Sequence, residues 1–359
     1  MTPQASARRS LCGAALLDLA ISPLFAWNVL VDPLRAEFGW SDVRLSGIFS
    51  FALLSYTVGV LVGGRLAAVR RPPRLALLTA AGSGGGLAVG ALVPSYVGLL
   101  VGYGLLFGAA TGVGYVTAVS IAGTLQGVRR GSALTFVVSA YAAGTIVVAP
   151  PLDALIHGVG WRLALLAVAA VVVLATLAAA VLLRDTQPPA ALRQARRAPR
   201  ISRGVLALGA LKGLGSAPAL AAFAHAAAVS MGAAAVAVPV LSAGNLLGRM
   251  VAGPLTDRVG LTAALYANVT ALAGACTVLG WPLGSKITFA ALLVLGAQYG
   301  ALSVLVPMAT AATVPRESFG PSYGSSSAAG VSRGCWHPPL WRGWPVPTAS
   351  GRPSGPASS

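Results

Sequence analysis

The sequence predicts an all-α protein that crosses a membrane about ten times, and three observations carry that expectation. First, the few charges cut the chain into long uncharged runs. From Leu75 to Val128 there is no Asp, Glu, Lys or Arg, which leaves room for two helices of roughly 20 residues across a hydrocarbon layer of about 30 Å. Second, 56% of the 359 residues are hydrophobic and only 9% are charged, with a mean hydropathy of +0.79. A soluble fold of this length cannot bury so much apolar surface. Third, the net charge of +17 comes from arginines placed between the uncharged runs, whereas a nucleic-acid binder gathers them on one solvated surface. The expected partner is the lipid bilayer and not nucleic acid.

The uncharged runs place spans near 11–31, 45–67, 75–94, 96–119, 131–155, 161–183, 204–226, 231–254, 262–282 and 287–312. The first follows Arg8 and Arg9 as a secretory signal would. Asp18 interrupts it, however, and it continues to Val31 with no small-residue cleavage site, so it is expected to be retained. With the N-terminus inside, the cytoplasmic side collects Arg8, Arg9, Arg65, Arg70, Arg71, Arg74, Arg129, Arg130, Arg249, Arg258 and Arg316, and the outer side only Arg35, Arg44, Arg162 and Lys286. That asymmetry predicts a multi-pass protein of the cytoplasmic membrane with a cytoplasmic N-terminus. Between 184 and 203, six arginines with Pro188, Pro189 and Pro199 make a flexible basic linker. The expected organisation is a six-helix bundle over 1–183, the linker over 184–203, a four-helix second bundle over 204–313 and a non-membrane tail over 314–359.

Two bundles joined by a basic linker suit a transporter with a site between its halves. A repeat agrees. The second span ends in Gly63-Gly64-Arg65-Leu66-Ala67, followed by Arg70, Arg71 and Arg74, and six spans later the eighth ends in a stretch from Gly248 to Gly260 that contains Gly253, Asp257 and Arg258. Gly253, Asp257, Arg258 and Gly260 resemble the Gly-x-x-x-Asp-Arg-x-Gly gating loop of the major facilitator superfamily; in the first copy Ala68 stands where that family has Asp. The segments Phe25-Ala26-Trp27, Asp32 to Ser41, Gly112 to Thr117, Arg129-Arg130-Gly131 and Gly160-Trp161-Arg162 are similar to the oxalate/formate antiporter branch, which is related to the monocarboxylate transporters. This resemblance covers roughly residues 10 to 324 and implies a two-bundle fold that moves a small organic anion by alternating access, with proton coupling one possibility; the uncharged runs give 6 + 4 helices where the family has two more.

Ionisable groups inside spans are costly and therefore candidates for function. Arg249 stands where the resembling family keeps an eighth-span arginine that meets a substrate carboxylate, and a guanidinium suits bidentate carboxylate binding. Anchoring the gating loop is its other open role. Lys212 in the seventh span is a substrate or proton candidate that can also snorkel. Asp18 is open to a structural ion pair with Lys212 or Arg249, or to proton carriage, and His225 near the end of the seventh span to interfacial packing. Tyr141 and Tyr299 match aromatic cavity positions of the family; Trp27 and Tyr115 are open to a cavity role or to packing. Gly104, Gly108 and Gly112 recur every four residues and permit close helix contact, and Pro150-Pro151 is expected to break the fifth span.

Cys12, Cys276 and Cys335 have no metal-ligand spacing, and no nucleophile motif, phosphate loop or zinc motif is present, so no enzyme, metal or cofactor is expected. Residues 325–359 are rich in Ser, Gly and Pro and read as a disordered or frame-shifted tail in place of two further spans. Such a chain is expected to transport poorly, which keeps a non-transporting remnant or a membrane sensor of the same fold as the alternative to a transporter. The topology has a direct check. Reporter fusions at Ala190 and Gly39 are expected to lie inside and outside respectively, and the reverse result would refute the arginine argument.

Overall fold

The computed structural model describes residues 3–125, 130–186, 204, 207, 209–211, 231–281 and 284–335. Every regular element among them is helical. Eight helical stretches are long and apolar enough to cross a membrane: Gln4–Phe38, Val43–Val69, Pro72–Leu92, Tyr96–Thr124, Arg130–Val159, Trp161–Leu182, Leu261–Leu279 and Lys286–Thr313. The protein is an all-α, multi-pass membrane protein. Its outward side chains match lipid, with Leu174, Val171 and Val147 exposed.

The first crossing is built from α1 (Pro3–Ala20), a 3-10 turn (Ser22–Ala26) and α2 (Asn28–Phe38). It runs on past Asp32, where the sequence placed a loop, because Arg35 pairs with Asp32 at 2.5 Å one turn away and Gly39 closes the helix at φ 63°. Next come α3 (Asp42–Val69) and α4 (Pro72–Leu92). The fourth crossing joins α5 (Tyr96–Leu99), a π-helical stretch (Leu100–Phe107) and α6 (Gly108–Thr124). Two more crossings, α7 (Arg130–Val159) and α8 (Trp161–Leu182), complete six. Pro150 and Pro151 lie inside α7 without ending it.

Two irregular stretches meet inside this bundle. Pro23 lies in the 3-10 turn of the first crossing, where the helical ladder is interrupted and carbonyls lose their usual donors. Tyr103, on the π-helical stretch, donates to Leu24 O at 2.8 Å, and Thr145 of α7 approaches Ser22 O at 3.3 Å. Side chains of two neighbouring crossings thus add hydrogen bonds to carbonyls of this turn. Trp27 packs on the same Tyr103, with ring centroids 4.7 Å apart. At the end of the bundle away from Arg65 and Arg74, Trp161 Nε1 donates to Glu37 at 2.5 Å and Arg162 pairs with the same carboxylate, joining the ends of α2 and α8. Gly108 and Gly112 face α3 so closely that a Cβ would strike the carbonyls of Ala52 and Tyr56.

The second half contains α9 (Met231–Val259), α10 (Leu261–Leu279), α11 (Gly284–Thr313) and α12 (Phe319–Cys335). The expected seventh span lies outside the described residues except at 204, 207 and 209–211, and residues 336–359 of the expected tail lie outside them too. The other finding about the tail is α12. Phe319 and Tyr323 are fully buried, and the helix packs on α3 and α6 where small residues let the backbones approach. The Ser and Gly content that suggested a loop serves close packing instead.

The two halves meet along α7 with α9 and along α3 with α12. Both contacts are tightest at the arginine-rich end. A Cβ on Gly253 would strike Gly131 O, and one on Gly64 would strike Gly320 O. Asp257 of α9 accepts from the Ser132 backbone N–H at 3.1 Å and from its hydroxyl at 2.8 Å, which sets a carboxylate on the positive N-terminus of α7. Arg130 of α7 donates to Ala311 O at 2.9 Å, setting a cation on the negative C-terminal turn of α11. The molecule is closed at this end. In a cysteine-free background carrying Thr135→Cys, Gly253→Val is therefore expected to hold α7 and α9 apart and speed maleimide labelling about tenfold. An unchanged rate would show that this backbone contact does not govern closure.

Candidate functional site

Between the halves lies a cluster of polar and aromatic groups drawn from six helices, α1, α3, α6, α7, α9 and α12. Arg249, on α9, is half-buried; its Nε donates to Asn245 Oδ1 at 2.9 Å and its Nη1 to Val138 O of α7 at 3.0 Å. Asn245 sits one turn earlier on the same helix face, so the guanidinium is oriented from within α9 and anchored on the other half. Of its five N–H groups these two are occupied, which leaves the Nη1–Nη2 edge for a planar anion.

Asp18, on α1, has no exposed surface, and neither carboxylate oxygen has a hydrogen-bond partner among the described residues. Arg249 is the cation whose charge it feels, yet the two form no ion pair. An uncompensated buried carboxylate costs on the order of several kcal/mol, so this group marks a place where a proton or a ligand completes the structure.

Tyrosines surround the pair. Tyr115 packs edge-on to Tyr141 at 5.8 Å and lies 5.8 Å from Tyr56, and its hydroxyl is 3.1 Å from that of Tyr323 on α12. Phe25 packs edge-on to Tyr141 at 5.7 Å. Tyr56, Tyr115 and Tyr141 all lie in the electrostatic field of Asp18, and Tyr115 and Tyr141 in that of Arg249 as well. The Tyr141 hydroxyl has no partner among the described residues.

The residues singled out in the sequence fall into three groups. Arg249, Asp18, Tyr141 and Tyr115 come together, and half-buried Tyr299 of α11 lies within electrostatic reach of Tyr141. Gly253 and Asp257 sit at the close contact of α7 with α9, exposed Arg258 follows them, and Gly260 turns the chain into α10 at φ 87°. Trp27 joins a different cluster: it is buried against Tyr103 in the core of the first half, where a large apolar ring fills space between packed helices. Lys212 and His225 lie outside the described residues. Sequence reasoning passed over Tyr56, Tyr323, Asn245 and Ser132. Asn245 was legible as a polar residue one turn before an arginine, whereas Tyr323 reaches the cluster only through the packing of α12.

Comparison with known proteins bears on the fold and the family. No curated protein matches the chain by sequence. The structure is similar to that of a proton:xylose symporter bound to 6-bromo-6-deoxy-D-glucose, at 15% identity over 93% of this chain and 87% of that one, with a TM-score of 0.67. It is similar to the transporter FucP in the outward conformation, at 17% identity over 92% and 90%, with a TM-score of 0.69. The human organic anion transporter MFSD10 gives 17%, 92%, 91% and 0.62. Identities this low speak to the fold alone. The sequence profile of the Major Facilitator Superfamily, by contrast, matches residues 11–336, which reaches through α12, and on that match the chain belongs to the Major Facilitator Superfamily of transporters.

Proposed function

We infer that the protein is a secondary transporter that carries a small carboxylate by alternating access, with Arg249 as the anion's anchor and the arginine-rich end in the cytoplasm. The observation that carries this reading is the setting of Arg249. A guanidinium fixed by Asn245 and the Val138 carbonyl, between two halves and beside buried tyrosines, presents one planar edge that no described residue fills. Loop anchoring alone does not account for a bond to the opposite half. Solved structures sharing the fold carry sugars in one case and organic anions in another, so the fold does not choose the substrate and the side chains must. The motif resemblance to the oxalate/formate antiporter branch supports the same class of substrate, and the sparser aromatic set here, with Phe25 and Thr117 where that branch has tyrosines, supports a cargo other than oxalate.

Tyr141 and Tyr299 line the two sides of this site, and closure at Gly131–Gly253 with Asp257 on the α7 N-terminus acts as its gate at the basic end. Breaking and remaking those contacts is the step that exposes the site to the other face. Arg249→Ala is expected to lower carboxylate uptake by about tenfold to a hundredfold at matched insertion, and Arg249→Lys to restore only part, since an ammonium lacks the planar fork. Equal uptake by Arg249→Ala and the unaltered protein would remove Arg249 from the site.

A further inference from the structure

A set of buried polar atoms lies between α1 and α7, and all of it is without partners among the described residues. Asp18 Oδ1 and Oδ2 accept nothing. One turn on, Ser22 Oγ is also unpaired and lies where a Cβ on Gly144 would strike it. One turn before Gly144 on α7, the Tyr141 hydroxyl is unpaired in its turn, within the field of Asp18. Asp18 and Ser22 are completely buried, so no solvent satisfies them in this conformation.

We propose that this cluster binds a protonated amine, so that the cargo is an aminocarboxylate whose ammonium group meets Asp18 while its carboxylate meets Arg249. The proposal rests on the carboxylate reading above and adds the second charge. Two considerations lead to it. The first is charge balance: Asp18 and Arg249 together are neutral, so a plain carboxylate brings one uncompensated negative charge into a low-dielectric site, and a zwitterion brings none. The second is the count of donors. A proton on Asp18 satisfies one oxygen and leaves the other, with Ser22 and Tyr141, as they were. An ammonium group supplies three N–H donors to the same set of oxygens. The rings of Tyr141, Tyr115 and Phe25, stacked edge to face around the cluster, offer aromatic surface to a cation as well. The ligand bridges the two halves, from α1 to α9, and enters when they part.

The test uses the full-length protein, purified, and matched probes that differ only in the amine: alanine against propionate, and phenylalanine against 3-phenylpropionate. Binding is read as ligand-dependent stabilisation against heat. In at least one pair the aminocarboxylate is expected to bind about tenfold or more tightly than its partner. Asp18→Asn is expected to abolish that preference while plain carboxylate binding persists, and Asp18→Glu to restore part of it. Tyr141→Phe, which keeps the ring, is expected to reduce the preference and carries the test should Asp18→Asn fail to fold. Equal binding within both pairs, or tighter binding of the plain carboxylates, overturns the proposal and leaves the role of Arg249 standing. Binding of either class that survives Arg249→Ala unchanged overturns the carboxylate reading beneath it, and stabilisation by none of the four probes overturns both.

Discussion

A backbone carbonyl that leaves its helical ladder inside hydrocarbon has no water to accept from, and the arrangement of this protein follows from how its helices meet that constraint. Pro23 interrupts the ladder of the first crossing, and the carbonyls of Ser22 and Leu24 in the same 3-10 turn accept from Thr145 and Tyr103 of two neighbouring crossings. On either side of this turn, Asp18 and Ser22 are fully buried and Trp27 packs against Tyr103 in the core of the first half.

Helix ends pose the same problem where the halves meet. The N-terminus of α7 has free N–H groups and the C-terminus of α11 free carbonyls, and each finds a charge of the complementary sign: Asp257 from α9 for the first, Arg130 from α7 for the second. Each of these contacts crosses between halves. They are short but few, supported by backbone approach at glycines, and hydrogen bonds of this kind are modest enough to break in a conformational cycle. Closure at the basic end is thus a local electrostatic fit laid over a packing fit.

Arg249 and Asp18 show a different use of charge. They influence each other without touching, and each is held by a different half. Direct pairing would have satisfied both and left nothing for a ligand. Separation leaves a guanidinium edge and an unpartnered carboxyl group at the same interface, and a molecule that bridged them would have differential contact with the two halves.

The sequence by itself determined that the chain lives in a membrane, since uncharged runs longer than the hydrocarbon layer permit no soluble alternative. It also located the turn from α9 to α10 and the contact before it, because Gly253, Asp257 and Gly260 act through local rules of close approach, helix dipoles and positive φ that are readable at fixed spacing. Arg249 was legible for the same reason: an ionisable group in an apolar span stands out wherever it points. Tertiary structure decided what no spacing encodes. Whether Asp18 finds a partner, whether Trp27 faces the interface or the core, and whether the Ser and Gly stretch after Phe319 is loop or helix all depend on which surfaces meet between residues far apart in sequence, as Tyr115 meets Tyr323 with a separation of 208. Small residues have weak preferences of their own, and only the groove between α3 and α6 turned Phe319–Cys335 into a packed helix.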